Sequence, residues 1–308
     1  MDTKIGNVNS RKISAGSGII DIYLDKEISE YFDRLAPLFL PDNFFSNKVR
    51  QEKKFNIYCF KGPKKFEYDL KNFLIQGNYS TRQLALDTIM LTSYLGEVLN
   101  IEDASYSFHS SAVSDGKNVI LMTGPAGSGK TTTLIKACGD GLNLYSTDRT
   151  VIKDDLAVGG TKYLLMREGT LNYDFKKSCD YIIINPESGP WDRIVGILPE
   201  NMGISVDNQK RKIRNIVLLR RGDHDLKKYT LKKDTALLRL YESLLHFVDV
   251  HPNMILGQKE PIPHFLQNSY RKEILEYAEY LIDEIPITIL AGNIDEISNE
   301  IVKMIKYE

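Results

Sequence analysis

The reading of this chain turns on Asn118 to Cys138, NVILMTGPAGSGKTTTLIKAC. An apolar, strand-forming run leads straight into a glycine-rich stretch, and a helix-forming segment follows it. Inside it, Gly124-Pro125-Ala126-Gly127-Ser128-Gly129-Lys130-Thr131 fits G-x-x-x-x-G-K-[ST] without a mismatch. The glycines let the backbone curl so that successive N–H groups point into one cup, and a helix starting near Gly129 adds the positive end of its dipole. A phosphate is the natural guest. Gly124 through Thr132 is therefore expected to cradle ATP or GTP. Lys130 reaches the β- and γ-phosphates, and the Thr131 hydroxyl is a ligand for the Mg2+ that bridges them. An incidental glycine turn would have to put a lysine and a hydroxyl at those two positions by chance.

Such a loop needs a carboxylate at the end of a neighbouring apolar strand. The strand LNLYST runs into Asp148, which takes the metal or catalytic role. Asp154-Asp155, between TVIK and LAVGG, reads instead as an exposed hairpin turn. Gly159-Gly160-Thr161 invites a second phosphate loop, but no strand-to-helix context follows it and a hairpin turn is expected. Arg149, Arg167, Arg220 and Arg221 compete to stabilise a transferring phosphoryl group. Trp191, the single tryptophan, sits in the loop-like SGPWDR, where it covers a substrate or caps the core. The basic run KRKIR, Lys210 to Arg214, reads as a solvated face that could also meet an anionic acceptor.

Upstream, IIDIYL and FNIYCF read as strands. They flank an amphipathic helix with Ile28, Tyr31, Phe32, Leu35 and Leu38 on one face, ended by Pro37 and Pro41. A longer helix follows, with Thr81 as its N-cap and an apolar face of Leu84, Ile89, Leu91, Tyr94 and Leu95, before Gly96 and Asn100 loosen it. YSFHSSAV and NVILMTG read as two strands joined at Asp115-Gly116. Downstream come the short strands LNLYS, TVIK, LAV, KYLLM, YIIIN and NIVLLR. Helices are expected from about Asp234 to Phe247 and from Tyr270 to Ile282, then a strand ITIL and a C-terminal helix. The class is α/β with a mixed sheet.

The 308 residues carry 40 Lys+Arg against 41 Asp+Glu, a formal net charge of −1, so no bulk charge draws the chain to nucleic acid or membrane. No apolar run approaches the roughly 20 residues of a membrane helix, and the N-terminus lacks a signal-peptide core. The three cysteines, Cys59, Cys138 and Cys179, have no CxxC spacing and form neither a disulfide framework nor a zinc site. A reducing cytoplasm fits.

FHSSAVSDGKNVILMTGPAGSGKTT followed by YSTDRTVIKDD resembles the HPr kinase/phosphorylase family, which shares the phosphoenolpyruvate carboxykinase-like P-loop fold. The likeness spans Tyr106 to Asp155 and joins three separated features. It implies that His109 is the strand histidine near the active site, that Gly124 to Thr131 is the phosphate cradle, and that Thr147-Asp148-Arg149 stands where the family has Asp-Asp-Arg. Thr147 departs from the pattern, leaving Asp148 to serve both proton and metal unless another group supplies the base. The family's C-terminal signature for its protein substrate is not recognisable. The expected activity is therefore a Mg2+-requiring kinase, with Asp148, His109 and Lys130 as catalytic groups. Its acceptor would be a hydroxyl of a small metabolite, a natural-product intermediate, or a peptide or protein serine. The alternative is a nucleotide-binding regulator that Thr147 has cost its transfer activity. A general NTPase is a third reading, without further motifs to recommend it. An α+β lobe, residues 1–104, is expected to shape the acceptor side, with the kinase core over 105–308. No nucleic-acid or membrane partner is expected, and self-association stays open.

Overall fold

The computed structural model describes residues 8–16, 18–45, 53–172, 179–189, 192–250, 254–255, 260–262, 265–266 and 269–307. Trp191 lies outside them. The chain is mixed α/β and divides into two compact units. One lies within Met1–Ser107 and Leu245–Arg271, the other within Phe108–Leu244 and Lys272–Glu308. Residues 245–271 thus group with the N-terminal unit, where the sequence reading kept everything after residue 104 in one core.

In the first unit, strands β1 (Val8–Ala15) and β2 (Gly18–Asp25) form a hairpin, and helix α1 (Lys26–Phe39) connects to β3 (Lys53–Lys61), parallel to β2. Then come β4 (Lys65–Tyr68), β5 (Asn72–Gly77) and helix α2 (Thr81–Glu102), giving the sheet order β1-β2-β3-β5-β4. The period-2 pattern is plain in β3, where Phe55, Ile57 and Cys59 are buried. In α1, Ile28, Phe32, Leu35 and Leu38 turn inward while Tyr31 stays 40% exposed. The helix runs two residues past Pro37, because a proline near the end of a helix costs a single hydrogen bond there.

Two expectations for α2 need correction. Ser80, not Thr81, is the N-cap: its hydroxyl accepts from Gln83 N at 3.2 Å. Gly96 and Asn100 do not loosen the helix, which continues to Glu102. Gly96 is instead a packing position, since a Cβ there would lie 2.3 Å from the Phe44 ring. Later in the chain, the short strands β17 (Met254–Ile255) and β18 (Glu260–Pro261) pair in this unit. Phe265 also belongs to it, its ring 5.3 Å from that of Phe73 and its N–H donated to the Tyr94 hydroxyl.

The second unit begins within β6 (Tyr106–His109). YSFHSSAV is not one strand: it breaks at Ser110 into β6 and β7 (Ser111–Ser114). β7 turns through Asp115-Gly116 into β8 (Asn118–Thr123), antiparallel to it. After the glycine loop come helix α3 (Lys130–Gly139), β9 (Asn143–Ser146), β10 (Arg149–Lys153) and β11 (Leu156–Gly160). Next are β12 (Leu164–Arg167), a single turn α4 (Glu168–Thr170), β13 (Tyr181–Ile183) and β14 (Ile194–Ile197). β15 (Arg211–Arg221), β16 (Lys227–Thr230) and helix α5 (Lys233–Leu245) follow. The chain ends with α6 (Tyr270–Glu284), β19 (Ile287–Gly292) and α7 (Ile294–Lys306).

The main sheet is mixed, ordered β6-β10-β11-β15-β8-β7-β9, with β19 beside β15 and β16 beside β19. β9 and β10 lie far apart in that order, yet only Thr147 and Asp148 separate them in the chain. The sheet therefore curls until its two ends meet at that turn. β8, β15 and β19 run parallel, so their C-terminal ends share one edge. Both α3 and α7 start there, and Val113, Ile120, Met122, Leu134, Val217 and Ile297 belong to the buried apolar core of this unit.

Candidate functional site

The site grows from that shared edge, where ligands of open α/β sheets collect. Gly124, Gly127 and Gly129 hold φ of +150°, +79° and +91°, values that L side chains rarely adopt. Gly129 is the N-cap of α3, and Ser128 N donates to Pro125 O at 3.1 Å. The first-turn N–H groups of α3 have no carbonyl one turn back to bind. Ser128 Oγ and Thr133 Oγ1 are buried with no hydrogen-bond partner among the described residues. Lys130 Nζ donates to Gly124 O at 2.7 Å and Pro125 O at 3.3 Å. Burial pushes this amine's pKa down, and the charge of Asp148 works against that shift, so the two groups lie within electrostatic range.

Asp148 occupies the β9–β10 turn. Its Oδ1 lies 3.4 Å from His109 Nδ1, with the aspartate side chain 43% exposed and the histidine 19%. The break at Ser110 makes this meeting: Ser110 N donates to Asp148 O at 3.2 Å, and the Ser111 hydroxyl donates to Thr147 O. Asp148 and His109 are thus brought together from the β9–β10 turn and β6, with Lys130 at the start of α3 within electrostatic range of Asp148. Thr147 is 5% exposed and turned inward, its hydroxyl 3.1 Å from that of Thr161.

The remaining candidates separate cleanly. Arg220 and Arg221 end β15 at the same edge as the glycine loop, both exposed, since Leu218 pairs with Thr123. Arg149 is buried, and Arg167 lies 3.8 Å from Asp192. Asp154 and Asp155 form the β10–β11 hairpin turn, with Asp154 at φ +54° and Asp155 3.3 Å from Lys212. The KRKIR run is partly spent on structure, as Arg211 binds Asp207 at 2.8 Å and Arg214 reaches Ile305 O at 3.4 Å. Gly159 and Gly160 lie within β11 and make no phosphate loop. The three cysteines are free thiols, and burial pushes Cys59 and Cys138 up to about 12.

Thr161 is the residue that sequence reasoning undervalued. Twelve to fourteen positions separate it from the turn it binds, and only the pairing of Thr150 with Gly160 across β10 and β11 closes that gap. Among the described residues no three His, Cys, Asp or Glu side chains gather as a metal cluster, and no helix is long and apolar enough to cross a membrane.

No protein-family model matches the chain, and no curated protein matches it. Among solved structures it is similar to the HPr(Ser) kinase/phosphatase from Coxiella burnetii. That likeness has 12% identity and a TM-score of 0.28, over 65% of this chain and 93% of that one. It is a distant structural likeness.

Proposed function

We propose that the chain is a Mg2+-requiring phosphotransferase that moves the γ-phosphoryl group of ATP or GTP to a hydroxyl. The acceptor is a small metabolite or natural-product intermediate, or a peptide or protein serine. One observation carries this reading. The Asp148 carboxylate lies 3.4 Å from His109, in a chain whose phosphate-loop sequence opens α3 with Lys130.

Phosphoryl transfer needs the donor phosphates neutralised, the acceptor oxygen in line and a group to take its proton. The residues present fit that demand. The unpartnered Ser128 hydroxyl and the free N–H groups opening α3 suit phosphate oxygens, and Lys130 would exchange two loop carbonyls for them. Thr131 and Asp148 would hold magnesium, which supplies charge neutralisation when bound. The acceptor oxygen bonds to the γ-phosphorus as the bond to the diphosphate breaks, and Asp148 takes the hydroxyl proton. His109 keeps that carboxylate oriented. Arg220 and Arg221 are the arginines placed to meet charge at this edge.

The test is direct. Purified chain is given ATP labelled at the γ position with Mg2+, together with a metabolite extract or a serine-peptide panel. Label transfer that needs Lys130 and Asp148 supports the kinase; absence of both nucleotide binding and transfer sinks it. The inward Thr147, which leaves Asp148 as the one acid of its turn, favours a second reading. Nucleotide binding without turnover, unchanged by Asp148→Asn, would select a nucleotide-binding regulator.

A further inference from the structure

We infer that Thr161 is a positioning residue, whose hydroxyl sets the turn that presents Asp148. The inference rests on the phosphotransferase reading and adds to it the device that holds its acid in place.

Thr161 follows β11 and is 3% exposed. Its Oγ1 accepts from Arg149 N at 3.1 Å and from Asp148 N at 3.3 Å. Its carbonyl accepts from Thr147 N at 2.9 Å and from the Thr147 hydroxyl at 3.3 Å, and its own N–H donates to Arg149 O at 3.0 Å. One residue thus contacts the backbone of both turn residues and of Arg149, which opens β10. The proton inventory closes without remainder. Two lone pairs of Thr161 Oγ1 take two backbone N–H groups, its proton goes to Thr147 Oγ1, and the Thr147 proton returns to the Thr161 carbonyl. A hydroxyl at 161 completes this ring and a methyl cannot.

The neighbouring glycine serves the same closeness. A Cβ at Gly160 would lie 2.5 Å from Arg149 O and 2.6 Å from Ser146 Cβ. From the other side, Ser110 N and the Ser111 hydroxyl bind the carbonyls of Asp148 and Thr147. With its backbone held on both sides, Asp148 leaves its carboxylate free to face His109. Every polar bond that Thr161 makes in this ring is to the turn, so its effect on chemistry is exerted through Asp148.

The experiment uses the full chain with Thr161→Val and Thr161→Ser, and ATP with Mg2+ as the probe. Three quantities are read: amide hydrogen exchange at residues 148 and 149, ATP affinity, and transfer of γ-labelled phosphate to the metabolite or serine-peptide panel. In Thr161→Val those two amides should exchange at least about tenfold faster, because their acceptor is gone. The turnover number should fall about 10- to 100-fold while ATP affinity stays within about twofold, the signature of a misplaced reacting group and not of lost binding. Thr161→Ser should restore both quantities. If the valine variant does not fold, Thr161→Ala repeats the measurement without the added methyl. Unchanged exchange at 148 and 149 overturns the inference, as does wild-type turnover that Thr161→Val leaves intact. A wild-type chain that binds ATP and transfers label to no component of the metabolite or serine-peptide panel removes the phosphotransferase reading, and the positioning role falls with it.

Discussion

His109 Nδ1 lies 3.4 Å from Asp148 Oδ1. The histidine ends β6, and the aspartate sits in the turn where the two ends of the curled sheet meet. A carboxylate kept half exposed and oriented by an imidazole can take the proton of an acceptor hydroxyl. Asp148→Asn keeps the shape and removes the basicity. Its turnover is expected to drop about 10²- to 10⁴-fold, and His109→Gln should lose less. Steady-state transfer of γ-labelled phosphate to the acceptor panel reads these apart. Equal turnover in Asp148→Asn and wild type would contradict the assignment.

Lys130 couples function to stability. Burial lowers its pKa from the ordinary value of 10.5, so the folded chain binds its proton less readily than the unfolded chain does. The unfolded state therefore holds more protons between the two values, and stability rises with pH across that window. Lys130→Met should raise the melting temperature at neutral pH and abolish ATP binding, and its stability gain should shrink as pH approaches 10.5. A variant that melts lower at pH 7 would count against this account.

The turn should reject the acid that the resemblance leads one to expect. Thr147 is 5% exposed and donates to the Thr161 carbonyl, a bond that an ionised aspartate cannot make. Thr147→Asp is expected to cost about 1–3 kcal/mol in denaturant unfolding, the penalty for a buried acceptor facing an acceptor, and to raise turnover not at all. A more active or equally stable variant would show that the position tolerates a carboxylate.

Asp207 ties the end of β7 to the start of β15. Its carboxylate accepts from the Ser114 hydroxyl at 2.6 Å and pairs with Arg211 at 2.8 Å. Burial opposes its ionisation, but hydrogen bonds from Arg211, Ser114 and Gln209 N outweigh that and hold its pKa below the usual carboxylate value. The stability it contributes is present above the unfolded value near 3.9 and is lost as pH falls through the lower folded value. Asp207→Asn should destabilise the chain by about 3 kcal/mol at pH 7, and its difference from wild type should fade in acid. Melting curves from pH 2 to 7 check both statements.

Local chemistry made much of this molecule legible before any fold was known. The strand–glycine–helix stretch from Asn118 to Cys138, the Asp154-Asp155 hairpin and the helix faces are written in residue spacing, because each depends on neighbours within one or two turns. The errors fell where packing decides. Ser80 outranks Thr81 as a cap through one hydrogen bond, Gly96 serves the Phe44 ring within a continuous helix, and the apparent strand from Tyr106 to Val113 breaks at Ser110.

What the chain alone determined is the set of groups: a lysine and hydroxyls on a glycine loop, one aspartate after a short strand, and one histidine before it. Their meeting was decided by the curl of the sheet, which brings β9 and β10 to a two-residue turn beside β6. Thr161 shows the division most clearly. Nothing in Gly159-Gly160-Thr161 announces a tie to the acid, since the bond spans twelve to fourteen residues and exists only once β10 and β11 are paired. Side-chain chemistry is local and can be read in order, whereas distances between remote groups are set by strand register and the burial that enforces it.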